Sequence, residues 1–387
     1  MKICHVITRM IVGGAQENTL LSCRGAVEAG PDVTLGTGPS PGPEGALLKR
    51  VSCPGLKIVE CPHLIRAISP LTDLKAYFFL KKLFREEKYD VVHTHSSKAG
   101  IVGRFAAKAA HVPFVAHTIH GLAFHRYEKF WKNFIYIASE RAAAPCGKRI
   151  YAVAQAMIDQ SLAAGVGKPE QYKVVYSGME LEPFLTSKPD PELRKSLGIP
   201  ENAVVFATLA RLFPLKGYET FIPVAIKLAK EIPDIHYLII GNGSMMEEIQ
   251  AQIAEAGLEK RFSFAGLVPP NEVWKYLALS SALVHFSLRE GLPRAAVQSL
   301  ASGKPVIAYA LDGTPEVVIP GKTGYLLQPG DRDGAEAAIR EIMADPAHAT
   351  ELGTNGRELV ASRFGWRTMS DVLLKDYMEQ LATLEKK

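Results

Sequence analysis

The amino-acid sequence predicts an α/β protein built as two doubly wound, parallel-sheet domains. Three observations predict it. At 387 residues the chain is long enough for two well-packed cores, since single domains run about 100–200 residues. Short β-branched runs alternate with helical patterns, the signature of βαβ units. That alternation pauses at a polar, proline-rich stretch, Glu182 to Asp190, and then starts again. The composition, 47% apolar and 22% charged, fits a soluble globular chain, and no apolar run approaches a membrane span. The start, M-K-I-C-H-V-I-T-R-M, is too short and too polar for a signal peptide. Five cysteines without C-x-x-C spacing suggest neither a disulfide framework nor a zinc site, so a reducing cytoplasm is expected. A net charge of +5, spread along the chain, favours acidic small molecules or an anionic membrane surface over nucleic acid.

In the first half, Ile3 to Thr8 reads as a strand, followed by Gly13-Gly14 and a helix with apolar Leu20, Leu21, Ala26 and Val27. A glycine pair there lets the backbone approach an anion at a helix N-terminus, or simply makes a tight turn; it is not a dinucleotide fingerprint. Further strands are expected at Val33–Thr37, Leu56–Glu60, Val91–His95, Phe114–Ile119 and Tyr151–Ala154. The ligand site of such a sheet lies at the carboxyl ends of its strands. His93-Thr-His95 and His117-Thr-Ile-His120-Gly121 fall there. His93 and His95 share a strand face, but no clustered carboxylate or cysteine completes a metal set, so no metal is expected. From Arg104 to Arg149, eight Lys/Arg stand against only Glu128 and Glu140, interleaved with Phe124, Tyr127, Phe130, Trp131, Phe134 and Tyr136. Such a segment is either packed core or a surface for an anionic bilayer or a lipid-linked acceptor.

In the second half, Val204–Leu209 is a strand, and Arg211-Leu-Phe-Pro-Leu-Lys216-Gly217 leads into a helix around Thr220 to Lys230. Two cations before a helix N-terminus make a diphosphate clamp. Tyr237–Ile240 runs into Gly241-Asn-Gly243, and Phe262–Gly266 into Val268. Ala282–Phe286 reads as a buried strand, and the stretch Ser287 to Pro305 as a helix closing at Gly303. Glu290 then sits where strand becomes helix, near backbone N–H groups that favour a carboxylate. Gln298, eight residues on, would lie two turns or about 12 Å away along a helix, suiting two ends of one extended ligand. Gly313-Thr-Pro-Glu316 and Gly321-Lys-Thr-Gly324 mark the following loop. Gly321-Lys-Thr is not a P-loop, because Glu316 stands where its glycine is required, and Asp331-Arg-Asp333 fits a helix cap. A last helix is expected from about Thr368 to Leu384.

The run from Ser287 to Leu327, the R-x4-K-G of Arg211 to Gly217 and the H-G at His120 together resemble the retaining GT-B-fold glycosyltransferases marked by E-x7-E (family 4 type, glycosyl transferases group 1). Gln298 departs from the pattern, standing at the second Glu. The resemblance implies two Rossmann-like domains facing each other across a cleft: 1–183 on the acceptor side, with 368–387 packing back on it, and 190–367 on the donor side. It implies transfer of a sugar, with retention, from a nucleotide-diphosphate sugar to a glycan or lipid-linked acceptor, without metal or other cofactor. It implies His120 and Glu290 as catalytic residues and Gly14, Arg211, Lys216, Gly291, Leu292 and Pro293 around the donor diphosphate. Gly266, Val268 and Gln298 would hold the nucleoside, and His93 and His95 would lie on the acceptor side. A nucleotide-sugar epimerase, a phosphorylase or a non-catalytic sugar-binding protein on the same plan is the alternative.

Overall fold

The computed structural model describes residues 1–40, 47 and 53–385. The chain divides into two compact units, Met1–Met179 with Phe364–Lys387, and Glu180–Arg363. Both crossings between units are tied together: Met179 N donates to Phe364 O at 2.9 Å and Trp366 N to Met179 O at 3.1 Å. The first unit therefore ends four residues before the expected 183, and the expected linker contains a short helix, Glu182–Leu185, whose Phe184 is buried.

The first unit is a seven-stranded parallel sheet in the order β3-β2-β1-β4-β5-β6-β7. Its strands are β1 (Lys2–Arg9), β2 (Asp32–Gly38), β3 (Lys57–Glu60), β4 (Val91–His95), β5 (Phe114–Ile119), β6 (Arg149–Ala152) and β7 (Tyr172–Val174). β6 begins two residues before the expected strand, Arg149 pairing with Ala116 of β5. β7, three residues long, carries no periodicity to read. β1, β4 and β5 are covered on both faces, so their inward residues form near-continuous buried runs. The last helix, Trp366–Glu385, inserts Trp366, Met369, Leu373, Leu374 and Tyr377 into the core beside Ile3, Leu20, Leu21 and Phe114. Gly25 permits this: a Cβ there would lie 2.0 Å from Ser370 Oγ.

The second unit is a six-stranded parallel sheet in the order β10-β9-β8-β11-β12-β13. Its strands are β8 (Val204–Leu209), β9 (Ile235–Ile240), β10 (Phe262–Gly266), β11 (Ala282–His285), β12 (Val306–Tyr309) and β13 (Gly324–Leu327). The strand order reverses between β1 and β4 in one unit and between β8 and β11 in the other. Crevices beside the carboxyl ends of such strand pairs are where open α/β sheets bind ligands. Asp331 caps the helix Arg332–Ala344, accepting from Gly334 N at 2.9 Å.

Candidate active site

In the second unit the site grows from the loop after β8. Gly217 is in the left-handed region (φ 80°), and a Cβ on it would lie 2.1 Å from Phe286 O. Only glycine lets the helix Tyr218–Glu231 start directly against the end of β11. Leu288 N donates to Leu215 O at 2.9 Å, joining the two loops. This packing delivers Lys216 to Glu290: Nζ lies 2.7 Å from Oε1 and 3.1 Å from Ser287 Oγ. His285 Nε2 stands 3.6 Å from the same oxygen, just beyond hydrogen-bond distance. Glu290 N donates to Asp312 Oδ2 at 2.8 Å. Burial raises the Glu290 carboxyl, but the Lys216 ammonium and then the His285 ring outweigh it and hold the group well below the carboxylate range.

The extent of the following helix differs from expectation. The helix runs only from Arg294 to Ala301, so Glu290, Gly291, Leu292 and Pro293 form a loop, and Glu290 and Gln298 are not two turns apart on one helix. Pro293 is the cap residue, and its restriction of Leu292 keeps the chain out of helical geometry until Arg294. Lys216 is paired with Glu290, while Arg211, on the same loop, is exposed with its guanidinium 5.3 Å from the Phe213 ring. The Arg211 loop is held by glycines. Cβ atoms on Gly241 and Gly243 would lie 1.9 Å from Ala210 O and 2.3 Å from Leu212 O. Gly266 (φ 65°) ends β10, with Val268 half-buried beyond it, and Gln298 is half-buried on its helix. Ser287, His285 and Asp312 were missed by sequence reading; a hydroxyl and an imidazole flanking the end of β11 were the available signal.

In the first unit, Gly14 opens the helix Gly14–Glu28, and His120 follows β5. His93 and His95 are both 0% exposed, so neither can meet an acceptor, contrary to expectation: β4 is a central strand covered on both faces. His93 instead bonds Tyr377 Oη at 2.5 Å and Thr118 Oγ1 at 2.6 Å. His5 is drawn in beside them, because β1 and β4 pair His5 with His93. Among the described residues His5, His93 and His95 bring nitrogens within 4.8 Å of one another. Five of their six ring nitrogens are already in hydrogen bonds, and only His5 Nε2 lacks a partner. The group is a hydrogen-bonded network, not a vacant ligand set. Desolvation pushes His5 down to about 3 and His93, His95 and His117 well below the ordinary histidine value.

The basic, aromatic segment is mixed. Arg104 is fully buried and paired with Glu140 at 2.5 Å, and Phe124 is buried. Phe130, Trp131 and Phe134 on the helix Phe130–Ala143 are 86%, 57% and 66% exposed, so packed core does not describe them. None of the described helices is long and apolar enough to cross a membrane.

Two Rossmann-like parallel sheets, each with polar side chains gathered at its strand-order reversal, define a protein of the GT-B fold class. Solved structures agree. HepE from Anabaena in complex with UDP superposes with a TM-score of 0.81 at 22% identity, over 98% of this chain and 100% of that one. Sucrose-phosphate synthase from Thermosynechococcus elongatus does so with a TM-score of 0.84 at 22% identity, over 99% and 100%. The family model for glycosyl transferases group 1 matches residues 189–359, and that for the glycosyl transferase 4-like domain matches residues 13–178. A relative from Escherichia coli, UDP-Gal:alpha-D-GlcNAc-diphosphoundecaprenol alpha-1,3-galactosyltransferase, is 33% identical over 288 residues, 73% of this chain and 74% of its own. The chain belongs to the glycosyl transferases group 1 family and is a glycosyltransferase.

Proposed function

We propose that the protein transfers a sugar from a nucleotide-diphosphate sugar to a lipid-diphosphate-linked or cell-surface glycan, with retention of anomeric configuration and without a metal. The observation that carries this reading is the Lys216–Glu290 pair with Ser287 at the carboxyl end of β11. Glycosyl transfer builds positive charge on the anomeric carbon and negative charge on the departing diphosphate. A lysine fixed by a carboxylate is a preorganised cation for that leaving group, and Arg211 on the same loop adds a second. Glu290, ionised and half-committed to Lys216, keeps an oxygen for sugar hydroxyls. It is suited to orienting the ring and poorly placed to become a covalent nucleophile. Gln298 can hold a ribose with one accepting oxygen and one donating amide. The relative from Escherichia coli, whose name carries UDP-Gal and a diphosphoundecaprenol acceptor, supports the donor and acceptor classes.

The exposed Phe130, Trp131 and Phe134 favour peripheral contact with an anionic bilayer. Leu71, Leu74 and Phe78, one stripe of the helix Pro70–Glu87, are exposed too. A groove of about 660 Å³ lined by Leu74, Tyr77, Ile101 and Phe105 would accept a lipid chain.

The test is thermal shift and nucleotide release over UDP-, GDP- and ADP-sugars in the presence of a chelator. Stabilisation by one donor, and release that grows on adding a lipid-diphosphate GlcNAc acceptor and is lost in Glu290→Ala, is the expected result. Release that needs inorganic phosphate, or binding of every sugar without turnover, would remove the transferase reading. The anomeric configuration of the product decides retention. Vesicles containing phosphatidylglycerol should retain the wild type and release a Phe130→Ser, Trp131→Ser, Phe134→Ser variant.

A further inference from the structure

His5, His95 and His120 form a file of three imidazoles. His5 Nδ1 lies 2.9 Å from His95 Nε2, and His95 Nδ1 lies 3.0 Å from His120 Nε2. The rings stack at centroid separations of 5.2 and 5.3 Å with planes inclined by 19° and 27°. Each contact needs one N–H and one lone pair. Desolvation keeps His5 and His95 uncharged, so each carries a single N–H. The protons must then all point the same way along the file.

Only two directions exist. In one, His5 Nδ1–H donates to His95 and His95 Nδ1–H donates to His120 Nε2, leaving a bare lone pair at His5 Nε2. In the other, every bond reverses and His5 carries its N–H at Nε2. That atom is buried and has no hydrogen-bond partner among the described residues, and an N–H stranded without an acceptor is among the rarest features of a protein interior. His120 is half-buried, so an N–H at that end is not sealed away from solvent as one at His5 Nε2 would be. His93 cannot take over, since both of its nitrogens are held by Tyr377 and Thr118.

We propose that His5 and His95 are positioning residues that run this file outward, fixing His120 as an acceptor at Nε2 and therefore as a donor at Nδ1. The proposal rests on the reading of His120 as a residue that touches the donor sugar or its diphosphate. A donor at Nδ1 matches those acceptors, which offer sugar or phosphate oxygens. The reversed tautomer would present a lone pair to an anion.

The decisive measurement is a two-bond ¹H–¹⁵N correlation spectrum of the full chain labelled with ¹⁵N-histidine, with His120 assigned from His120→Gln. The expected pattern is an unprotonated Nε2 and a protonated Nδ1 on His120. A protonated Nε2, or averaging between both forms, overturns the proposal, and this spectrum needs neither substrate nor a variant of His5. A second arm uses UDP-galactose turnover. His5→Phe should lower kcat about tenfold at unchanged KM, and His5→Asn, whose amide can donate from the Nδ1 position, should restore it. Full turnover in His120→Ala, with the Nδ1–H pattern intact in the wild type, would remove the role of His120 while leaving the tautomer assignment standing.

Discussion

The two units share a plan and fill it oppositely. At the β1–β4 reversal the polar side chains are imidazoles, uncharged and buried, held by one another and by Tyr377 and Thr118. At the β8–β11 reversal the polar side chains are a charged pair, Lys216 and Glu290, in a partly exposed loop. Strand order decides where polar groups gather, whereas the covering of each strand end decides whether they stay ionised. A helix covers β4, and charge is excluded there. At the end of β11 the loops carrying Lys216 and Glu290 meet beside the start of the helix Tyr218–Glu231, and an ion pair survives.

Acid should separate the units most sharply. A histidine whose folded value is depressed favours folding above its unfolded value of about 6.5, and that stability is lost as pH falls towards the folded value. Each such histidine contributes about 1.4 kcal/mol per pH unit in that window. His5, His93, His95 and His117 act together, so amide exchange in β1, β4 and β5 should rise steeply below about pH 6. The depressed carboxyl of Glu290 acts with the same sign but lower, holding its stabilisation above about pH 4.3. Exchange in β8 and β11 should therefore stay slow until the carboxylate range. Equal acid sensitivity of both sheets would dissolve the contrast.

Next in size, Lys216→Met and Glu290→Gln should each lower turnover by about 10²–10³-fold, the scale of a lost preorganised electrostatic contact. A double variant that loses no more than either single one would show that the pair acts as a unit. Gly217→Ala should destabilise by more than about 1 kcal/mol in urea unfolding, since the φ is positive and Phe286 O occupies the Cβ position. Gly198→Ala, also at positive φ but with open space around it, should cost less. Smallest of all, Phe134→Ser should change stability by no more than about 0.5 kcal/mol, because the ring is two-thirds exposed.

Much of this was legible from local pattern. The sequence predicts strands β4, β5 and β8 at their observed bounds, because buried parallel strands are short apolar runs with clear edges. The Asp331 cap and the stop at Gly303 (φ 71°) were legible for the same reason: a cap is written within a few residues. Arg211, Lys216 and Glu290 could be singled out by residue type and spacing.

Their relations could not be read in the same way. Lys216 and Glu290 are 74 residues apart, and their contact exists because Gly217 packs on Phe286. His5 stands in the first strand and His95 in the fourth, and only the pairing of β1 with β4 brings them together. Burial followed the same rule, turning His93 and His95 from candidate acceptor-side residues into core. The sequence by itself determined most of the elements, their parallel arrangement and the residues rich in chemistry, because propensity and capping act over a few residues. The tertiary structure alone decided which of those residues touch, which are charged and which way their protons point, because those depend on neighbours far away in the chain and on the water that packing removes.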